Sequence, residues 1–227
     1  TDPNVMEAWI RDGMVDYVVL ARALIADPDL PKKAMHGRMD EIRPCLRCIS
    51  CLTGGYYNLP LHCSVNPQIG RDSDYKFQPL PVEKKRVLIA GGGPAGMEAA
   101  VQASRRGHEV ILCEKSDRLG GLLNIVEKES FKKRIGAYKD YLIRMVGKSA
   151  VDVRLNTEVT PELIEELEAD YVIAAVGGHA MVPPVKGVEK AIPIIDYYRD
   201  EPEVGENVLV MGGGFAGVEC AIGLALD

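Results

Sequence analysis

The sequence predicts an α/β fold with a doubly wound, Rossmann-like domain and the start of a second one. Short apolar segments typical of buried parallel strands alternate with segments of helical periodicity. A strand, a glycine-rich turn and a helix also occur twice in the same order. The two copies, VLIAGGGPAGMEAAVQAS from Val87 and VLVMGGGFAGVECAIGLA from Val208, share nine of eighteen residues at an offset of 121 residues.

The first copy has the glycine spacing of a dinucleotide-binding turn, with Gly91, Gly93 and Gly96 following an apolar strand. In such a turn the first glycine permits a tight bend and the second lets the backbone approach a pyrophosphate. The third lets the helix pack on the strand, with the phosphate charge at the helix N-terminus. The next strand, EVILCE, ends at Glu114, 23 residues beyond Gly91, where a carboxylate can bind a ribose hydroxyl. We therefore expect a dinucleotide here.

The second copy repeats the turn with Gly212, Gly214 and Gly217. Its equivalent of Glu114 would be residue 235, whereas the sequence has 227 residues. The sequence therefore indicates a second nucleotide site without indicating a preference for NADH or NADPH.

The segments around the first copy fit the same fold. We expect helices over Pro3 to Gly13, around Lys32 to Asp40 and over Ser130 to Val146, and strands over Val151 to Leu155 and, buried, over Tyr171 to Gly178. Thr160 and Pro161 are typical of the cap and first turn of a short helix. Asp16 to Ala21 also reads as a buried strand. Because one strand cannot bury both faces alone, we expect its neighbours upstream, in a longer protein.

Composition excludes two classes of partner. The chain has 227 residues, 47% of them hydrophobic, and a formal net charge of −6, which argues against nucleic acid or anionic lipid as ligands. No apolar run approaches the roughly 20 residues that span a bilayer. We expect a soluble, cytoplasmic protein with no membrane association.

Four cysteines, Cys45, Cys48, Cys51 and Cys63, lie within nineteen residues. Disulfides are disfavoured because nucleotide-binding motifs indicate a reducing compartment. Zinc sites usually use two separated C-x-x-C pairs, whereas here three cysteines recur every third residue and a fourth follows after eleven others. This three-plus-one spacing favours a 4Fe-4S cluster and leaves zinc as the alternative. Cys113 and Cys220 are expected to be core thiols.

Several segments in sequence order resemble one family: LARALIADPDLPKKA, CLRCISC with CSVNP, VLIAGGGPAGMEAA, EKSDRLGG, RLNTEV and VLVMGGGFAGVECA. Together they closely resemble the iron-sulfur flavoprotein branch of the old yellow enzyme superfamily. This branch includes 2,4-dienoyl-CoA reductase, 2-enoate reductase and trimethylamine dehydrogenase. The resemblance covers essentially all 227 residues.

The resemblance implies four regions. Residues 1–43 would be the last βα unit of an FMN-binding TIM barrel, 44–83 the cluster segment and linker, 84–203 the FAD-binding or ADP-binding domain, and 204–227 the start of an NAD(P)-binding domain. Arg22 would hold the FMN phosphate, and the four cysteines would bind the cluster. The residues implied at the two dinucleotide sites are Gly91, Gly93, Pro94, Ala95, Gly96, Glu114, Lys115, Arg118, Gly120, Gly121, Val159 and Gly177 for FAD, and Gly212, Gly214 and Gly217 for NAD(P)H.

Three positions depart from the family pattern. Ala21 replaces the glycine that usually precedes the arginine, Val176 replaces a threonine near the end of a strand, and Leu122 replaces a glutamine that the reductases often carry. Ala21 concerns the backbone contact to the FMN phosphate. In the amine dehydrogenases of the family the FAD site holds ADP, and the departures at Val176 and Leu122 keep that alternative open.

For the complete protein the resemblance implies a relay from NAD(P)H to FAD, through the cluster, to an FMN that reduces an activated carbon–carbon double bond. The expected substrate is a small unsaturated acid or acyl-CoA, and the protein is expected to form a homo-oligomer. No catalytic acid is assigned within this chain. The alternatives are an amine dehydrogenase that exports electrons, a noncatalytic fragment that binds a nucleotide and a cluster, and a zinc-bearing nucleotide-binding module.

Overall fold

The computed structural model of the chain describes residues 2–76, 81 and 83–226. Its centre is a parallel four-stranded sheet with the strand order β3-β2-β1-β4. The strands are β1 (Arg86–Ala90), β2 (Glu109–Cys113), β3 (Val151–Arg154) and β4 (Tyr171–Ala174). The helices are α1 (Pro3–Arg11), α2 (Arg22–Ala26), α3 (Leu30–Met35), α4 (Ser50–Tyr56), α5 (Asp72–Lys76), α6 (Pro94–Arg105), α7 (Leu123–Val126), α8 (Lys133–Gly147), α9 (Pro161–Glu166), α10 (Ile194–Asp200) and α11 (Phe215–Leu226).

The two central strands of the sheet, β1 and β2, are covered on both faces, as in the predicted doubly wound fold. Alternate residues of β1 and β2, such as Ile89 and Leu112, pack with α6 and α8 in one core. The residues between them, such as Leu88 and Ile111, contact Leu163 of α9 on the opposite side. Because successive side chains of a strand point to opposite faces, one apolar run supplies both cores.

Several predicted elements are confirmed. Helix α1 occupies most of the segment from Pro3 to Gly13, and β3 begins at the predicted residue, Val151. The hydroxyl of Thr160 accepts a hydrogen bond from the backbone N–H of Leu163 at 3.3 Å, so Thr160 caps α9 as expected. The helix predicted over Ser130 to Val146 begins with a short 3-10 turn and continues as α8.

The helix predicted around Lys32 to Asp40 is shorter and lies earlier in the chain, as α3. It ends because Gly37 takes a left-handed conformation with φ of +70°, and the N–H of Arg38 bonds back to the carbonyl of Lys33 at 2.8 Å. This bond pattern is typical of a helix C-terminus. A separate 3-10 turn covers Met39–Glu41.

Two segments predicted as strands are not paired in the part of the chain that the structure describes, and for Asp16 to Ala21 no partner within this chain was expected. Among the described residues, Asp16 to Ala21 and the segment from Val208 to Met211 pair with no other strand. A strand is stable only with a hydrogen-bonded neighbour and a covered face. The side chains of Tyr17 and Val19 are accordingly 76% and 80% exposed.

The burial predicted for the strand from Tyr171 is also wrong. Strand β4 pairs with β1 on one side only, and all four of its residues are exposed. Its apolar composition is typical of a central strand, but in the described sheet β4 is an edge strand. Apolar composition therefore predicted that the segment is a strand, but not how exposed its side chains are.

The predicted domain boundaries remain predictions. Part of the linker region, residues 77–80 and 82, lies outside the described residues, as do Thr1 and Asp227. Among the helices that the structure describes, none combines the length and the apolar character needed to cross a bilayer.

The close approach of α6 to β1 generates a stability prediction. A Cβ at position 96 would lie 1.8 Å from the carbonyl oxygen of Gly91, whereas a Cβ at position 93 would meet no atom within 4 Å. Gly96→Ala should lower the free energy of unfolding by about 3 kcal/mol, because backbone must move to relieve the clash. The control Gly93→Ala should cost less than about 1 kcal/mol. Urea unfolding of both variants measures the difference, and equal losses would contradict the packing role of Gly96.

Candidate functional site

The turn between β1 and α6 has the shape of an anion-binding turn. Gly91 has φ of +108°, and its N–H donates to the carbonyl of Cys113 at 2.8 Å. A Cβ on Gly91 would lie 2.4 Å from the carbonyl oxygen of Ala175, so the chain after β4 closes against the turn. Helix α6 then begins at Pro94 with no side-chain cap. Its first N–H groups have no acceptor within the helix and are available to a phosphate.

Glu114, at the carboxyl end of β2, is buried beside this turn and joined to it. Its Oε2 accepts the N–H of Gly92 at 2.7 Å, and its Oε1 accepts the N–H and the hydroxyl of Ser116, each at 2.8 Å. Burial raises the pKa of Glu114, but the hydrogen bonds from Ser116 and Gly92 outweigh burial and hold this pKa below its ordinary value. Glu114 is therefore a fixed carboxylate at the rim of the turn.

The segment after Glu114 folds over the glycine turn. The N–H of Gly120 donates to the carbonyl of Gly92 at 2.9 Å, and a Cβ on Gly121 would lie 3.0 Å from the Cα of Gly93. Gly120 has φ of +120°, a conformation that favours glycine. The backbone of Gly120 and Gly121 therefore lies against the turn that contains Gly91 and Gly93.

The remaining predicted residues of this site are placed as follows. Lys115 and Arg118 are exposed, and Arg118 forms a long ion pair of 3.8 Å with Asp117. Val159 packs beneath the sheet, against the core around Leu88. Gly177, with φ of +77°, is exposed in the segment after β4. The structure thus brings Gly91, Gly93, Gly96, Glu114, Gly120 and Gly121 together at one edge of the sheet, with Pro94 and Ala95 at the first turn of α6.

The second glycine turn has nearly the same local geometry as the first. Gly212 has φ of +109°, and a Cβ on Gly217 would lie 2.0 Å from the carbonyl oxygen of Gly212. Gly212 and Gly214 are exposed, and no described strand precedes them in a sheet. Among the described residues, this copy has the turn but no paired strand beside it.

The four clustered cysteines line a single cavity, whose wall also contains Arg22, Ser64 and Val65. All four are free thiols, so the prediction against disulfides is consistent with the structure. Cys45 and Cys63 also pack on the core that contains Tyr138 and Leu142 of α8. Cys113 and Cys220 are buried elsewhere, as expected for core thiols.

Hydrogen-bond donors point at the cavity sulfurs. The N–H of Arg47 donates to Cys45 Sγ at 3.4 Å, and the hydroxyl of Ser50 donates to Cys48 Sγ at 3.4 Å. Ser64 Oγ lies 3.3 Å from Cys48 Sγ. Partial burial raises the pKa of the Cys48 thiol, but the bonds from Ser50 and Ser64 outweigh it and lower this pKa. Thiolate is the form that binds metals.

The cysteine segment has a strained backbone. Arg47 and Ile49, which alternate with the cysteines, have φ of +59° and +65°. For a β-branched residue such as Ile49 the left-handed region is a genuine outlier, and each such residue costs about 1–3 kcal/mol. The two left-handed residues turn the chain so that three consecutive cysteines of the series line the same cavity. Gly54 and Gly55, which follow the third cysteine, lie inside helix α4.

The structure also identifies residues that sequence patterns did not predict. Ser50 and Ser64 were not predicted, although each directly neighbours a cysteine in sequence. The role of Gly92, whose N–H holds Glu114, was not predicted either. Among the residues that the structure describes, no three His, Cys, Asp or Glu side chains converge closely enough to hold one metal ion.

The bonds to Glu114 predict a pH-dependent contribution to stability. Because the folded-state pKa is lowered from 4.5, the contribution is fully present above pH 4.5 and is lost as the pH falls through the folded pKa. Glu114→Gln should lower the free energy of unfolding by about 1–2 kcal/mol at pH 7, and the difference from wild type should shrink towards pH 3. Urea unfolding across this range measures it. Glu158→Gln, at an exposed residue, is the control, and a pH-independent difference for Glu114→Gln would contradict the role assigned to its charge.

A family model described as pyridine nucleotide-disulphide oxidoreductase matches residues 85–226. Curated relatives include an NADH oxidase from Thermoanaerobacter brockii, 42% identical over 99% of this chain and 36% of the relative. A cinnamate reductase from Clostridium sporogenes is 35% identical over 98% of this chain and 34% of the relative. The chain therefore spans about a third of the length of these relatives.

Among solved structures, a complex of 2-naphthoyl-CoA reductase with 2-naphthoyl-CoA superimposes with a TM-score of 0.91 at 31% identity. The match covers 99% of this chain and 34% of that structure. The parallel sheet, the glycine turn and these matches agree with one another. The chain belongs to the pyridine nucleotide-disulphide oxidoreductase family, and its resemblance to flavoproteins of the old yellow enzyme and trimethylamine dehydrogenase type is confirmed.

Proposed function

We propose that this chain is the electron-transfer part of an NAD(P)H-dependent flavoenzyme, with FAD at the first glycine turn and a 4Fe-4S cluster in the cysteine cavity. The observation that carries the proposal is the pairing of a dinucleotide-type turn with four free thiols that line one cavity in the same chain. When bound, FAD supplies two-electron acceptance from NAD(P)H and the cluster supplies one-electron transfer.

The first turn fits a dinucleotide because its backbone is open where a pyrophosphate would bind. No atom lies within 4 Å of the point where a Cβ on Gly93 would be, and the uncapped start of α6 offers N–H donors. Glu114 is held by three hydrogen bonds from the protein, which orient its carboxylate. Oε2, which accepts only the N–H of Gly92, has a further lone pair for a ribose hydroxyl. Arg118 would balance phosphate charge from the segment above the turn.

The spacing of the four cysteines favours a multi-atom cluster over one zinc ion. Zinc sites usually use two separated C-x-x-C pairs, whereas here three cysteines recur every third residue and the fourth follows after eleven others. A cluster takes its thiolates around a larger body. The backbone N–H of Arg47 and the hydroxyl of Ser50 would stabilise negative charge on two of these sulfurs.

The wider assignments belong to the same proposal. Arg22, exposed at the cysteine cavity, would hold the phosphate of an FMN carried by the rest of a longer protein. The turn at Gly212, Gly214 and Gly217 would bind NAD(P)H once a sheet is completed around it. We infer the domain boundaries given above, a cytoplasmic location in keeping with the free thiols, and a homo-oligomer.

The proposed reaction is reduction of an activated carbon–carbon double bond in an unsaturated acid or acyl-CoA. The relatives named cinnamate reductase and 2-naphthoyl-CoA reductase support this substrate class. The proton donor and most FMN contacts would lie outside this chain, and no catalytic acid is assigned to it.

An amine dehydrogenase with ADP in place of FAD is the second candidate. It is favoured by two departures from the expected pattern: exposed Leu122 stands where the reductases often carry glutamine, and exposed Val176 stands where the family usually carries threonine. Neither side chain can donate or accept a hydrogen bond to a flavin.

An anaerobic cofactor inventory of the complete protein distinguishes the two candidates. Iron and sulfide are measured per chain, and the released nucleotides are identified by chromatography. Iron near four per chain with FAD supports the reductase, whereas iron with ADP moves the proposal to the dehydrogenase. Zinc, or no metal, would contradict the assignment of the cysteines.

The ligand assignment predicts a selective loss of metal. Cys48→Ser should lower iron per chain by more than half, because a serine hydroxyl is a poor substitute for a thiolate, while nucleotide remains bound at the glycine turn. Iron analysis and the nucleotide-to-protein ratio measure the two effects. Cys220→Ala, at a cysteine outside the cavity, should keep its iron, and unchanged iron in Cys48→Ser would refute the assignment.

A further inference from the structure

A buried ion pair joins the cysteine segment to the helix of the glycine turn. Arg43 Nη2 lies 3.0 Å from Glu98 Oε1 and 3.3 Å from Glu98 Oε2. The two side chains are only 10% and 15% exposed. Arg43 stands two residues before Cys45, and Glu98 stands four residues after Pro94, the first residue of α6. The pair therefore connects the start of the cysteine segment to α6, the helix that begins at the first glycine turn.

The same guanidinium also holds the far end of the cysteine segment. Arg43 Nη1 donates to the Oδ1 of Asn66 at 3.3 Å, and Asn66 stands three residues after Cys63. Asn66 Nδ2 donates in turn to the carbonyl of Ile25 in α2 at 2.8 Å. Both ends of the segment that contains the four cysteines are thus tied to one side chain.

Further contacts fix the position of Arg43 itself. Its backbone N–H donates to Asp27 Oδ2 at 2.7 Å, and the same oxygen accepts from Lys33 Nζ at 2.7 Å. Its guanidinium carbon lies 5.7 Å from the centre of the Tyr141 ring on α8. Its Nε is buried without a hydrogen-bond partner among the described residues. The positive charge of the guanidinium is stabilised by the carboxylate of Glu98 and by the face of the Tyr141 ring.

We propose that Arg43 is a positioning residue that fixes the cysteine cavity relative to the dinucleotide-binding turn and so sets the rate of electron transfer between them. The inference rests on the proposed function. Its physical basis is that segments joined by loops move relative to one another unless their contact is fixed. A planar guanidinium that bonds Glu98 and Asn66 at once fixes direction as well as distance, which a lysine cannot do.

The test uses the complete protein with both sites loaded. NADH is mixed in without oxygen, and reduction of the cluster is followed by stopped-flow absorbance in wild type, Arg43→Met, Arg43→Lys and Arg199→Met. Arg199 forms an exposed ion pair with Asp196 at 2.6 Å on α10 and serves as the matched control. Iron, FAD and the two midpoint potentials are measured for each variant, so that neither cofactor loss nor driving force accounts for a change in rate.

Arg43→Met should lower the first-order rate of cluster reduction by about tenfold or more, at unchanged iron, FAD and potentials. Arg43→Lys, which keeps the charge and loses the fork, should give a smaller loss, and Arg199→Met should give none. A wild-type rate in Arg43→Met with both cofactors bound would overturn the proposal. If Arg43→Met does not fold, Arg43→Lys and Glu98→Gln are measured instead. Wild-type rates of cluster reduction in both variants, with both cofactors bound, would then overturn the proposal.

Hydrogen exchange separates this inference from the proposed function. If the wild-type protein contains no iron or no FAD, the proposed function is refuted, but the positioning role of the Arg43 contacts is not. In that case amide protection is compared between residues 44–66 and β1. The contact predicts that Arg43→Met loses protection in residues 44–66 and retains it in β1, and equal protection in wild type and variant would overturn it.

Discussion

The structure depends on the close contact between the start of α6 and the end of β1. With a Cβ at position 96 only 1.8 Å from the carbonyl oxygen of Gly91, no other residue than glycine allows this helix to sit so near its strand. The contact aims the free N–H groups of α6 at the edge of the sheet, where Glu114 is held by Gly92. It also sets the position of Glu98 one turn further along the helix. The geometry of the glycine turn, the position of Glu114 and the ion pair between Glu98 and Arg43 thus all depend on this contact.

The cysteine segment follows a different principle. Its own sequence does not favour its backbone, because Ile49 is a β-branched residue in the left-handed region. The surrounding structure supplies the compensation: Arg43 and Asn66 hold its two ends, and Arg134 of α8 donates to the carbonyl of Cys45 at 3.3 Å. Strain that persists because its neighbours determine it is typical of functional sites. The thiols are therefore positioned by α6 and α8 as much as by their spacing.

Sequence reasoning predicted the parts of the fold that local pattern determines. The alternation of apolar strands and periodic helices gave the parallel sheet with helices on both faces, and capping residues gave the start of α9 at Thr160. Local pattern could not predict the burial of a strand, which depends on its neighbours. Asp16 to Ala21 and β4 have the apolar composition of buried strands, yet one has no partner and the other has only one among the described strands. Composition cannot reveal which strand lies alongside.

The two glycine turns separate what the sequence alone determined from what the tertiary structure decided. Gly91 and Gly212 have φ of +108° and +109°, although only the first turn follows a strand of the described sheet. The turn is thus local, because glycine spacing and the helix that follows dictate it. The contacts that distinguish the first turn from the second are not local. Gly92 and Glu114 are 22 residues apart, and Arg43 and Glu98 are 55 apart. Hydrogen bonds between such distant polar groups have no periodicity in the sequence, so only the packing of β2, α6 and the cysteine segment could decide them.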